Sequence, residues 1–118
     1  MRSITLRGRA LGFVFLSFGG ILTTSFAQAS GTTATIDHIL VVSSANLVYV
    51  YPTGGITLSP ACGAALPYYS FSYSRPMASA YLAALLAAQA RGATIAIWGT
   101  GGCTDQLTSE TLDYFRVD

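Results

Sequence analysis

Three arginines, Arg2, Arg7 and Arg9, lead into an apolar run from Ala10 to Ile21, and Ala27-Gln28-Ala29 closes the stretch with the small-x-small pattern that signal peptidase accepts. No other feature constrains the chain as much. It assigns residues 1–29 to a cleaved signal peptide and leaves residues 30–118 to build one domain outside the cytosol. A membrane-spanning reading of Leu11 to Phe26 is interrupted by Ser17, Gly19-Gly20 and Thr23-Thr24, and the unbroken apolar part falls short of the roughly 20 residues a span needs. No cysteine stands at the cleavage point to carry a lipid. The expectation is a secreted or periplasmic protein with no membrane span after cleavage.

Three of the six basic residues leave with the signal peptide, so the remaining domain holds Arg75, Arg91 and Arg116 against five carboxylates, a formal charge of −2 with no lysine. A basic stripe able to displace counterions from a phosphate backbone is missing, which argues against nucleic acid as a partner. A domain of this size has a small core and benefits from a covalent staple. Cys62 and Cys103 are the only cysteines, and export favours their pairing within the chain. Two free thiols and an intermolecular bridge are the alternatives. Two cysteines and one scattered histidine lack zinc-ligand spacing, so neither metal nor cofactor is expected.

The pattern along the domain reads as three strands, one helix and two strands. Ser30 to Thr33 is a polar lead-in, Ala34 to Val42 is a β-branched strand, Ser43 to Asn46 a turn, and Leu47 to Tyr51 a second strand stopped by Pro52-Thr53-Gly54-Gly55. A third extended region spans Pro67 to Tyr73, with Tyr69, Phe71 and Tyr73 alternating against Tyr68, Ser70 and Ser72. Ser74 is placed to cap a helix that has Pro76 in its first turn and Gly92 at its end. Only Ser79 and Gln89 are plainly polar between Pro76 and Ala90, so this helix should be covered on two sides, the second cover coming from another subunit. Strands from Ala93 to Trp98 and from about Thr111 to Val117 complete the order. The fold class is mostly β with one helix, an OB-fold-like five-stranded barrel in the order β-β-β-α-β-β. Another small α+β sandwich is the alternative.

Catalytic constellations are scarce. Strict strand alternation would send Asp37 and His38 to opposite faces, so the acid would not orient the imidazole, and no G-x-S-x-G elbow occurs. Asp105, Glu110, Asp113 and Asp118 read as a solvated loop and strand face. The Gly99-Thr100-Gly101-Gly102 loop lacks phosphate-cradle spacing and reads as a turn that positions Cys103. The positive signal is aromatic: all seven tyrosines and Trp98 lie beyond the signal peptide, and such rings offer flat apolar faces with polar handles for sugars or subunit interfaces. Trp98, at a strand end beside the glycine loop, leads the ligand-facing candidates, followed by Tyr49, Tyr51 and Tyr73.

The segment from Cys62-Gly63 through Tyr81 to Ile97, a helix ending in Gln89-Ala90-Arg91-Gly92 and followed by a β-branched strand, resembles small secreted B-subunit-like proteins. It is similar to the receptor-binding B subunits of the subtilase cytotoxin and typhoid toxin group. The toxin subunits have more cysteines and differ before the first strand. The resemblance implies an OB-fold, a homo-oligomeric ring of five with helices around a central pore, cell-surface glycan binding without catalysis, and a catalytic A subunit as partner. By rough alignment it also implies that Thr32 and Thr33, with Trp98, lie where a glycan pocket would be. The functional expectation is a secreted, non-catalytic, glycan-binding module. The alternative is a secreted or periplasmic protein-interaction module without glycan affinity.

Overall fold

A computed structural model describes Gly19, Gly20 and residues 29–118. Apart from Gly19, Gly20 and Ala29, the expected signal peptide lies outside the described residues. Six strands and one α-helix follow: β1 (Gly31–Ala34), β2 (Ile36–Val42), β3 (Leu47–Pro52), β4 (Tyr69–Ser72), α1 (Ala78–Ala90), β5 (Ile95–Gly99) and β6 (Leu112–Val117). They form two three-stranded antiparallel sheets, ordered β1-β5-β6 and β2-β3-β4. The fold is mostly β with one helix, and the sheets are not hydrogen-bonded into one continuous five-stranded barrel.

Two junctions connect the sheets. On one side β1 runs into β2 through Thr35, whose carbonyl accepts the Thr53 N–H at 2.9 Å. On the other, Ser70 of β4 makes a single parallel bridge to Thr111, and its N–H donates to the Glu110 carbonyl at 3.0 Å. The residues read as a polar lead-in are thus a strand. Gly31 to Ala34 pair with Trp98 to Ile95, a long-range partnership that weak local β-propensity does not announce.

Alternation works well in β3, where Val48 and Val50 are fully buried while Tyr49 and Tyr51 face outward and are only partly covered. The two sheets enclose Ile36, Val48, Val50, Tyr69, Phe71, Ile95, Ile97 and Leu112, and α1 closes one end with Ala78, Leu85 and Ala88. Tyr81 anchors the helix: its ring packs edge-on against Phe71 and Phe115, and its hydroxyl donates to the Asp113 carbonyl at 2.9 Å.

The helix begins later than expected, at Ala78. Ser74 does not cap it, because Ser74 is tied to the β2–β3 turn, accepting from the Asn46 side-chain amide. Its end is as read. Gly92, at φ +64°, donates to Gln89 O, and Ala93 donates back to Ala88 O. Among the described residues only one side of α1 is covered, leaving Ala80, Ala83, Ala84 and Ala87 exposed along the other, beside a half-exposed Leu86.

Cys62, in a short 3-10 turn of the β3–β4 connection, is disulfide-bonded to Cys103 in the β5–β6 loop, with Cα atoms 6.2 Å apart. Among the described residues no helix is long and apolar enough to cross a membrane.

Candidate functional site

The outer face of the β2-β3-β4 sheet carries a row of rings in contact. Strand register sets His38 opposite Tyr51 and Leu40 opposite Tyr49. The His38 ring stacks on Tyr51 at 3.9 Å, Tyr51 meets Tyr68 at 4.7 Å, and Tyr68 stacks on Tyr49 at 4.5 Å. The Gln106 amide nitrogen reaches over from the β5–β6 loop and donates to the Tyr68 and Tyr49 hydroxyls, at 3.1 and 3.3 Å. Burial and the neighbouring phenols push the Tyr51 hydroxyl above its ordinary pKa, so it remains a phenol at physiological pH.

The separation of Asp37 from His38 expected from alternation does not occur. The β2–β3 register slips between Ile36 and His38, and this bulge sets two residues of β2 against one of β3. As a result Asp37 Oδ2 lies 2.6 Å from His38 Nδ1, both side chains exposed, and the acid orients the imidazole that opens the row.

A second aromatic pair lies on the outer face of the other sheet. Trp98 stacks on Tyr114, its partner in register, at 4.7 Å and an interplanar angle of 15°. Gly31 makes room for the indole, since a Cβ there would lie 3.3 Å from its Nε1. Exposed Thr33 shares this outer face.

The sequence-derived candidates therefore separate. Thr33 and Trp98 share one patch, and Tyr49 and Tyr51 belong to the aromatic row. Tyr73 lies half-exposed past β4, lining a cleft of about 320 Å³ with Val41, Val42, Ser43, Asn46, Leu47 and Leu82. Thr32 is not presented to a ligand: it faces the core, 6% exposed, and bonds to Tyr69 OH and the Thr57 N–H. His38, Tyr68, Gln106 and Tyr114 were missed. Counting register outward from the Ser43–Asn46 turn would have paired His38 with Tyr51, whereas Gln106 arrives from a loop that the sequence does not orient.

The acidic residues also divide. Asp113 and Asp118 are exposed as read, but Asp105 accepts the Ser72 N–H at 2.7 Å and approaches Arg75 at 3.7 Å. Glu110 overturns the solvated reading completely, being fully buried. Its carboxylate accepts the Ser30 N–H at 3.2 and 3.3 Å and the Ser30 hydroxyl. The Tyr69 hydroxyl is 2.6 Å from Ser30 Oγ and 3.0 Å from Thr32 Oγ1. With Ser30 donating to the carboxylate, the chain runs Thr32 to Tyr69 to Ser30 to Glu110. Burial pushes the Glu110 carboxyl above its ordinary pKa against the bonds from Ser30, and burial likewise raises Tyr69.

No protein-family model, curated protein or solved structure matches this chain. Function is therefore argued from its own geometry.

Proposed function

We propose that residues 30–118 form a secreted or periplasmic, non-catalytic binding module whose ligand is a cell-surface glycan. The observation that carries this reading is the row in which exposed His38 and half-covered Tyr51 and Tyr49 pack around a nearly buried Tyr68, leaving ring surface edged by phenol, imidazole and amide groups where a solvated sheet would normally present short polar side chains. Sugars stack on ring faces and bond through their hydroxyls, and this row offers both kinds of contact. The Trp98–Tyr114 pair is a second surface of the same chemistry.

The scaffold we propose is an OB barrel. In support, β1 and β2 follow one another through Thr35 as a single bent strand would, β4 makes one parallel bridge to Thr111 just before β6, and α1 falls between the third and fourth of the resulting five strands. The exposed alanines of α1 support a homo-oligomer with helices facing the symmetry axis, a pentamer with a catalytic A subunit if the toxin B-subunit resemblance extends to assembly. Close helix approach needs such small side chains.

A glycan array of the exported protein tests the ligand class. Reproducible sugar binding that Tyr51→Ala weakens at least about tenfold supports the row as the site, and loss on Trp98→Ala alone moves the site to the other sheet. A blank array with folded protein rejects the glycan. The protein-interaction reading is favoured by a different observation, the exposed apolar groups of Val41 and Tyr73, about half exposed, which line the cleft together with Leu82 of α1.

A further inference from the structure

Glu110 is a fully buried carboxylate whose hydrogen bonds, among the described residues, all come from Ser30. Space has been cleared for it. A Cβ on Gly99 would fall 2.0 Å from its Oε1, and one on Gly63 would fall 2.9 Å from its backbone nitrogen. Yet no cation among the described residues answers it. Among the described residues the ion pairs of His38, Arg75 and Arg116 go to Asp37, Asp105 and Asp118. A buried carboxylate is costly unless it is paired or protonated.

The nitrogen nearest to it is that of Ser30, almost symmetrically between the two carboxylate oxygens. Ser30 is 1% exposed and fixed from its other end, its carbonyl accepting the Gly99 N–H at 3.2 Å, whereas Ala29 is exposed. The edge of the buried domain thus falls at the bond that the Ala27-Gln28-Ala29 pattern marks for cleavage.

We infer that the Ala29–Ser30 bond is a maturation site whose hydrolysis creates the partner of Glu110: the α-ammonium of Ser30, held between the two carboxylate oxygens. This rests on the reading of residues 1–29 as a signal peptide. A signal peptidase adds water across the amide. Hydroxyl goes to the Ala29 carbonyl carbon and a proton to the Ser30 nitrogen, and the new carboxyl passes its proton to the amine, leaving a carboxylate on the departing peptide and an ammonium on the domain. The buried site then holds opposite charges in place of a carboxylate facing an amide. The precursor keeps the unpaired carboxylate and is the less stable form, which suits a chain that must stay unfolded until it has crossed the membrane.

The test starts from protein exported with its own leader, its N-terminus read by mass spectrometry. This form is compared with one that retains Ala29 and with one acetylated at Ser30 N. The mature form should melt at least about 5 °C above both, and the gap should close in Glu110→Gln. At about pH 8 the Ser30 amine should acylate at least about tenfold more slowly in the folded mature protein than in urea, because ion pairing holds it protonated. Amine labelling and the N-terminal comparison on the parent decide the matter if Glu110→Gln fails to fold. A start well away from Ser30 overturns the processing reading itself. A Ser30 start with equal melting of all three forms, or with the amine as reactive folded as unfolded, overturns only its capture by Glu110.

Discussion

Gly99→Ala should be among the most damaging single-methyl additions in this domain, for a reason unrelated to backbone freedom. Gly99 has no positive φ, so alanine fits its conformation, but the added carbon would stand 2.0 Å from Glu110 Oε1, 2.2 Å from Cδ and 2.7 Å from Cγ. Relief requires a shift of more than about 1 Å, since nonbonded carbon contacts lie near 3.5 Å. If β5 moves, overpacking costs roughly 1–3 kcal/mol. If the carboxylate leaves, it gives up charge-assisted bonds from Ser30, roughly 1.5–3 kcal/mol each. The cheaper route sets the cost, about 1–3 kcal/mol, a melting temperature lower by roughly 4 °C or more for a domain of this size. Thermal unfolding followed by circular dichroism measures it, with Gly102→Ala as control, because the nearest atom there is 4.0 Å from the new Cβ and the change should be within about 0.5 kcal/mol. The cause is isolated by Glu110→Ala, in whose background Gly99→Ala should cost less than about 1 kcal/mol. A Gly99→Ala protein melting within about 2 °C of the parent, or strictly additive costs in the double variant, would refute the steric argument.

Cys62→Ser with Cys103→Ser should cost about 4 kcal/mol on the chain-entropy model for a sequence separation of 41, and two alkylatable thiols in native exported protein would contradict the bridge. Ala84→Glu, on the exposed side of α1, should dissociate a helix-centred oligomer while the subunit stays folded, read by light scattering; a parent that is already a monomer at micromolar concentration removes the ring. In the form that retains Ala29, burial sets the folded carboxyl of Glu110 above its unfolded value. Its stabilising protonation is complete below the unfolded value, about 4.3, and is lost as pH rises through the raised folded value. That form should therefore melt higher at about pH 4 than at about pH 7 relative to its Glu110→Gln counterpart, and parallel curves for the two would dismiss the effect.

Local rules were enough for the elements whose signals are local. The β-branched run of β2, the turn at Asn46, the alternation of β3 and the glycine that ends α1 all follow from side-chain shape and backbone freedom within a few residues, so the sequence alone determined most strand positions and the single helix. With export inferred from Arg2 to Ala29, it also favoured the pairing of the only two cysteines over free thiols or an intermolecular bridge, and the folded chain brings them together. What it could not determine depends on groups far apart in the chain. Residues 31–34 became a strand because β5 offers them a ladder, and Asp37 reached His38 because a bulge, invisible to a period of two, interrupts β2. Glu110 looked like a loop acid among loop acids. It became the buried centre of a network only when the fold brought Ser30, 80 residues away, against it and set Gly99 where any larger residue would fill its place. Periodicity reports which face of an element turns inward, but a buried charge is decided by which distant groups the tertiary structure delivers to satisfy it.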